Sequence, residues 1–137
     1  MQKKTVIQIP GKPMGKQRAR TLKTGYSYTP EQTVNYENLV KMIYRENGGP
    51  YMEGAVSAEI LVVYDVPKST SKKKRSLMLD GSIYPTKKPD IDNIQKIIFD
   101  ALNGVAYKDD TQIVSVSARK KYGERPFVQV VFQEVSA

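Results

Sequence analysis

The chain has 137 residues, 39% hydrophobic and 26% charged, and its 22 Lys and Arg outweigh 14 Asp and Glu to give a formal net charge of +8. That length predicts a single domain over 1–137. The charge favours a polyanionic partner, nucleic acid first, with solubility alone as the plain alternative. With neither Cys nor His, disulfides, thiolate chemistry, a Ser-His-Asp triad and most zinc sites are excluded, so a bound metal must be held by oxygen, as Mg²⁺ or Mn²⁺ is.

In chain order, Thr5 to Ile9 reads as a short first strand and Pro10-Gly11 closes it. Residues 11 to 28 read as irregular and basic, carrying Lys12, Lys16, Arg18, Arg20 and Lys23 with Tyr26 and Tyr28. Thr29-Pro30-Glu31-Gln32 predicts a helix start with Thr29 as the cap. Tyr36, Leu39, Val40, Ile43 and Tyr44 then share one apolar face, and Gly48-Gly49-Pro50 ends the helix. Ala55 to Tyr64 has the clearest strand alternation. Pro67 to Arg75, with Lys72, Lys73, Lys74 and Arg75, reads as a short helix or a mobile arm, and 80 to 89 as a loop.

A central helix is predicted from about Asn93 to Asn103, with Asp92 as its cap and Gln95 completing a capping box. Two strands follow, Ile113 to Tyr122 and Phe127 to Val135. The short turn between them predicts an antiparallel hairpin. The fold expected is α+β, helices packed on a mixed sheet. No run is apolar enough for a membrane span and the N-terminus lacks a signal-peptide core, so the cytoplasm is the expected compartment.

The chemistry concentrates at residues 87 to 110. If Asp92 caps the helix and Asp90 lies in an extended segment before it, alternation turns both carboxylates to one side, and Lys96 stands one turn further on. The second acidic pair, Asp109-Asp110, comes at the entry to a strand. Carboxylates converging there repel one another unless a divalent cation neutralises them, which is the arrangement of a Mg²⁺-dependent phosphodiesterase. Structural readings stand beside these: Asp92 as a cap only, Lys96 as a salt-bridge partner of Asp92 or Asp100, and Asp109-Asp110 as a turn.

The run Lys88-Pro89-Asp90-Ile91-Asp92-Asn93-Ile94-Gln95-Lys96, continuing through Phe99 to Val105 and on to Asp109-Asp110-Thr111-Gln112-Ile113, resembles the signature of the RusA family of Holliday junction resolvases. Lys16 to Arg20, Tyr28-Thr29-Pro30 and Pro67-Lys68-Ser69 resemble other parts of that family. The resemblance implies a small homodimeric endonuclease, often encoded by phages and prophages, that nicks four-way DNA junctions in pairs using Mg²⁺. It implies Asp90, Asp92 and Asp110 as metal ligands and Lys96 as a catalytic lysine. Asp109 is then expected to support the loop, and Asp100 to assist the site or pair with Lys96. Lys16, Arg18, Arg20, Lys72, Lys73, Lys74 and Arg75 are the expected phosphate contacts, and Tyr26 and Tyr28 either stack on unpaired bases or pack on their loop. Two other functions remain: a non-catalytic nucleic-acid-binding module, and a metal-dependent nuclease for flaps or RNA.

Overall fold

A computed structural model describes residues 3–135. Its elements in order are β1 (Lys4–Pro10), a two-strand ribbon of β2 (Arg20–Thr21) and β3 (Ser27–Tyr28), α1 (Glu31–Glu46), β4 (Val56–Asp65), α2 (Lys72–Leu79), α3 (Ile91–Ala101), a 3₁₀ turn (Asp110–Gln112), β5 (Ile113–Gly123) and β6 (Phe127–Glu134). The fold is α+β, as the sequence predicts. The main sheet is mixed, in the order β1-β6-β4-β5, with β4 parallel to β5 and the other pairs antiparallel.

One face of the sheet carries α1 and α3. Val56, Ala58, Ile60, Val62 and Tyr64 of β4 are buried there against Tyr36, Val40 and Tyr44 of α1 and Ile94, Ile97 and Ile98 of α3. Phe132 of β6 sits at the centre, with the rings of Phe99, Tyr44 and Tyr107 at 6.1, 6.2 and 6.3 Å in edge-on or tilted contact, pairings worth about 0.5–1.5 kcal/mol each beyond area burial. Glu59, Leu61, Ser117, Arg119, Gln129 and Val131 lie on the opposite face.

The structure corrects the sequence expectations in four places. The last two strands are antiparallel to each other, but they do not form a hydrogen-bonded hairpin, because β4 lies between them. β4 is the most apolar strand and takes the central place. Crossing two strand spacings, roughly 10 Å, is within reach of the Glu124-Arg125-Pro126 linker. Gly123 makes the crossing close: a Cβ there would stand 2.6 Å from Val63 Cγ1.

Secondly, α3 begins two residues early. Asp90 is its N-cap, accepting from the Asn93 N–H at 3.3 Å, and Asp92 lies in the first turn, so the Asp92–Gln95 capping box does not form. The half-buried Ile91 extends the apolar stripe through Ile94 and Ile98 and draws the extra turn into the helix. Thirdly, Thr29 is not the cap of α1; the buried Pro30 occupies that position with no side-chain cap bond. Finally, residues 11 to 28 include the β2–β3 ribbon, on which Tyr26 and Tyr28 are exposed. The basic segment after Pro67 is a helix, capped by Ser71 accepting from the Lys74 N–H at 3.3 Å.

Candidate active site

The site is built around α3. Because β4 and β5 are parallel, their carboxyl ends lie together under the mouth of this helix, and the register sets Val62 opposite Lys120 and Tyr64 opposite Tyr122. The Tyr64 hydroxyl donates to the Pro89 carbonyl, fixing the residue that precedes Asp90. Burial, followed by the nearby Asp90 charge, pushes the Tyr64 phenol up to about 12. Lys120 donates to the Lys87 carbonyl at 2.8 Å. Its ammonium is lowered by burial and partly restored by Asp90. Neither Tyr64 nor Lys120 stands out in the sequence; only the parallel pairing of β4 with β5 brings them to the acids.

On the other side of the mouth, residues 13–17 pack against α3. A Cβ on Gly15 would lie 2.9 Å from Asn93 Cβ and 3.1 Å from Pro89 Cβ, and the Lys16 N–H donates to the Asn93 carbonyl at 3.1 Å. Between this arm and the Lys88-Pro89-Asp90 segment runs an open cleft, with Lys16, Gln17 and Asn93 also on its walls.

Asp90, Asp92 and Lys96 are all exposed. Since Asp90 is a cap and Asp92 is two residues on within the first turn, the pair does not share the extended geometry expected from alternation. Among the described residues neither Asp92 nor Lys96 makes a side-chain hydrogen bond or an ion pair; the only ion pairs within 4 Å are those of Lys16. The salt-bridge reading of Lys96 is therefore absent from the structure.

The carboxyl-terminal half of α3 is different. Asp100 pairs with Lys16, not Lys96: Lys16 Nζ is 2.7 Å from Glu37 Oε2 and 3.5 Å from Asp100 Oδ2. Burial lowers the Lys16 ammonium, but the hydrogen bond and charge of Glu37 and the charge of Asp100 outweigh it, and the net shift is upward. The 3₁₀ turn brings Asp110 beside Asp100. Burial first, then the charges of Asp109 and Asp100, hold the Asp110 carboxyl above the usual range. Asp109 supports the turn: its Oδ2 accepts from the Thr111 N–H at 3.1 Å, which lowers its carboxyl, while Gln112 Oε1 accepts from the Lys108 and Asp109 N–H groups.

The expected phosphate contacts are dispersed. Arg18 and Arg20 are exposed at the arm and ribbon, and Lys72, Lys73 and Lys74 on the first turn of α2, with Arg75 half-buried. Three lysines at the positive end of a helix dipole give α2 no stability. Lys16 is held by its two acids.

The donor chemistry suits a hard cation: every candidate ligand is a carboxylate. The spacing does not bring the set together, since no group of three acids among the described residues is placed to hold one ion.

Residues 10–133 match the family described as Endodeoxyribonuclease RusA. An uncharacterized protein of Bacillus subtilis (strain 168), YqaN, is 46% identical over 86 residues, a stretch spanning 61% of this chain and 61% of that protein. No helix among the described residues is long and apolar enough to cross a membrane.

Proposed function

We propose, because this chain belongs to the RusA family of endodeoxyribonucleases, that it is a divalent-cation-dependent nuclease that resolves four-way (Holliday) junctions by paired, symmetric nicks in DNA recombination and repair. The observation that carries this reading is the family match over residues 10–133, within which Asp90, Asp92, Lys96 and Asp110 all fall. Two equivalent cuts call for two equivalent sites, which a C₂ homodimer supplies. The protein would act in the cytoplasm.

Asp90, Asp92 and Asp110 are the carboxylates proposed for Mg²⁺, with Mn²⁺ as the substitute; holding one ion together would require them to close up from where they stand among the described residues. Asp100 stands next to Asp110 as a fourth acid. When bound, such an ion activates water and screens a phosphodiester. Lys96 carries a positive charge with no hydrogen-bond or ion-pair partner among the described residues, and its role is to stabilise the charge that builds on the phosphate oxygens in the transition state. Arg18, Arg20, Lys72, Lys73, Lys74 and Arg75 neutralise backbone phosphates, so affinity should fall steeply with salt. Lys16 contributes by positioning, tying the 13–17 arm to α1 and α3.

A non-catalytic junction-binding module is the second reading, favoured by one observation: Asp90 does structural work as the cap of α3. Asp90→Asn separates the two, because Asn caps a helix as well as Asp does while removing the charge. Incubated with Mg²⁺ and synthetic four-way junction, duplex and flap DNA, the wild type is expected to cut the junction in symmetric pairs. The Asp90→Asn variant is expected to bind it without cutting. Normal cutting by the variant would overturn the catalytic assignment, and preferential cutting of flaps or duplex would overturn the resolvase assignment but keep the nuclease.

A further inference from the structure

We infer that Lys120, with Lys87 beside it and the Tyr64 ring beneath, forms a phosphate-binding subsite on the sheet side of Asp90, taking a DNA backbone phosphate next to the one addressed by the acids. This rests on the nuclease reading above. Three adjacent basic residues, Arg119, Lys120 and Lys121, occupy β5, and only the middle one turns toward the site. Lys120 pairs with the buried Val62 of the helix-bearing face, whereas Arg119 pairs with Leu61 and lies on the opposite face.

The geometry around Lys120 is built to hold it in place. Its ammonium donates to the Lys87 carbonyl at 2.8 Å and sits 5.1 Å from the Tyr64 ring centroid. Lys87 Nζ stands 5.9 Å from that ring and 5.8 Å from the Tyr122 ring. Cation–π contacts of this kind steady an ammonium without neutralising it. Among the described residues neither lysine has a carboxylate within 4 Å.

One hydrogen bond leaves Lys120 with two further donors, and Lys87 sets a second ammonium near the same Tyr64 ring. A divalent cation would meet two positive charges there, and an apolar ligand would leave the spare donors unused. A phosphodiester oxygen accepts from them. The Tyr64 hydroxyl, through its bond to Pro89, ties this subsite to the residue before Asp90, so Tyr64 is a positioning residue for both.

The test uses the full chain and a synthetic four-way junction without divalent cation, with dissociation constants measured over a series of KCl concentrations. Lys120→Gln is expected to weaken binding about fivefold to tenfold and to lower the slope of log affinity against log salt by about one, while Lys120→Arg keeps both. Arg119→Gln, the same charge loss on the other face, should change affinity by less than about twofold. Tyr64→Phe should leave the salt slope intact but lower kcat in the Mg²⁺ assay.

If Lys120→Gln matches Arg119→Gln in affinity and slope while the wild type binds and cuts junctions, the subsite is overturned alone. If the wild type binds junctions with the Lys120 slope effect but cuts nothing, the subsite stands and the nuclease reading falls. A wild type that does not bind junctions overturns both.

Discussion

The two ends of α3 hold acids of opposite kind. At the amino end Asp90 and Asp92 are exposed, and Lys96 has no partner among the described residues. At the carboxyl end Asp100 is engaged by Lys16, which also holds Glu37, and Asp110 is half-buried beside it. One end presents charges outward with little internal compensation; the other spends its charges on joining α1, the 13–17 arm and the 3₁₀ turn. The acids of this one helix are therefore expected to separate in mutagenesis, the amino end affecting chemistry and Asp100 at the carboxyl end affecting stability, with Asp110 on the 3₁₀ turn counted among the proposed metal carboxylates.

The largest separation is expected at Lys96. Lys96→Met removes an exposed charge that makes no side-chain hydrogen bond or ion pair among the described residues. Its melting temperature should therefore stay within about a degree, since exposed substitutions of this kind are worth under ~0.5 kcal/mol. Junction cleavage should fall by roughly 100-fold or more, the scale of a lost transition-state donor. A stability loss with intact kcat would break the comparison.

Lys16→Met is the converse. It leaves Glu37 and Asp100 half-buried without their cation, a loss of about 1–2 kcal/mol, readable as a lower melting temperature. Because the folded Lys16 ammonium titrates above its ordinary value, this stabilisation is complete below about pH 10.4 and fades as pH rises through the raised value. The gap between wild type and variant should accordingly close in strongly alkaline buffer. A gap that persists there would mean the ion pairs are not its source.

Gly15→Ala probes the junction between the two ends. Its new methyl would meet Asn93 and Pro89 at the distances of a clash, and the arm must shift at a cost of about 1 kcal/mol. Cleavage should weaken more than stability does, since the arm forms one wall of the cleft at Asp90. Equal losses in both would show that the cleft takes no part in substrate binding.

The comparison also separates what sequence could and could not reveal. The alternation of β4, the short apolar runs of β1 and β6 and the apolar face of α1 are local patterns, and the structure reproduces them within about a residue or two. The start of α3 is a near tie, because Asp90 and Asp92 are each followed three residues on by a group that fits a cap. Ile91 breaks it only once the core exists to bury that side chain. The hairpin expectation failed for a related reason: a short turn between two strands does not reveal a third strand crossing between them.

The acids of the amino end were readable as a cluster because they are close in sequence. Lys16 with Asp100, and Tyr64 and Lys120 with Asp90, are separated by dozens of residues and meet only through sheet order and packing. No periodicity in a single chain signals such pairs.

The most direct test of the account is single-turnover cleavage of a four-way junction by Asp90→Asn in Mg²⁺, with melting temperature and junction affinity measured on the same preparation. The account predicts an unchanged fold, because Asn still caps α3, junction binding as tight as the wild type or tighter, and cleavage reduced by about 100-fold or more. Wild-type cleavage by that folded variant would contradict it.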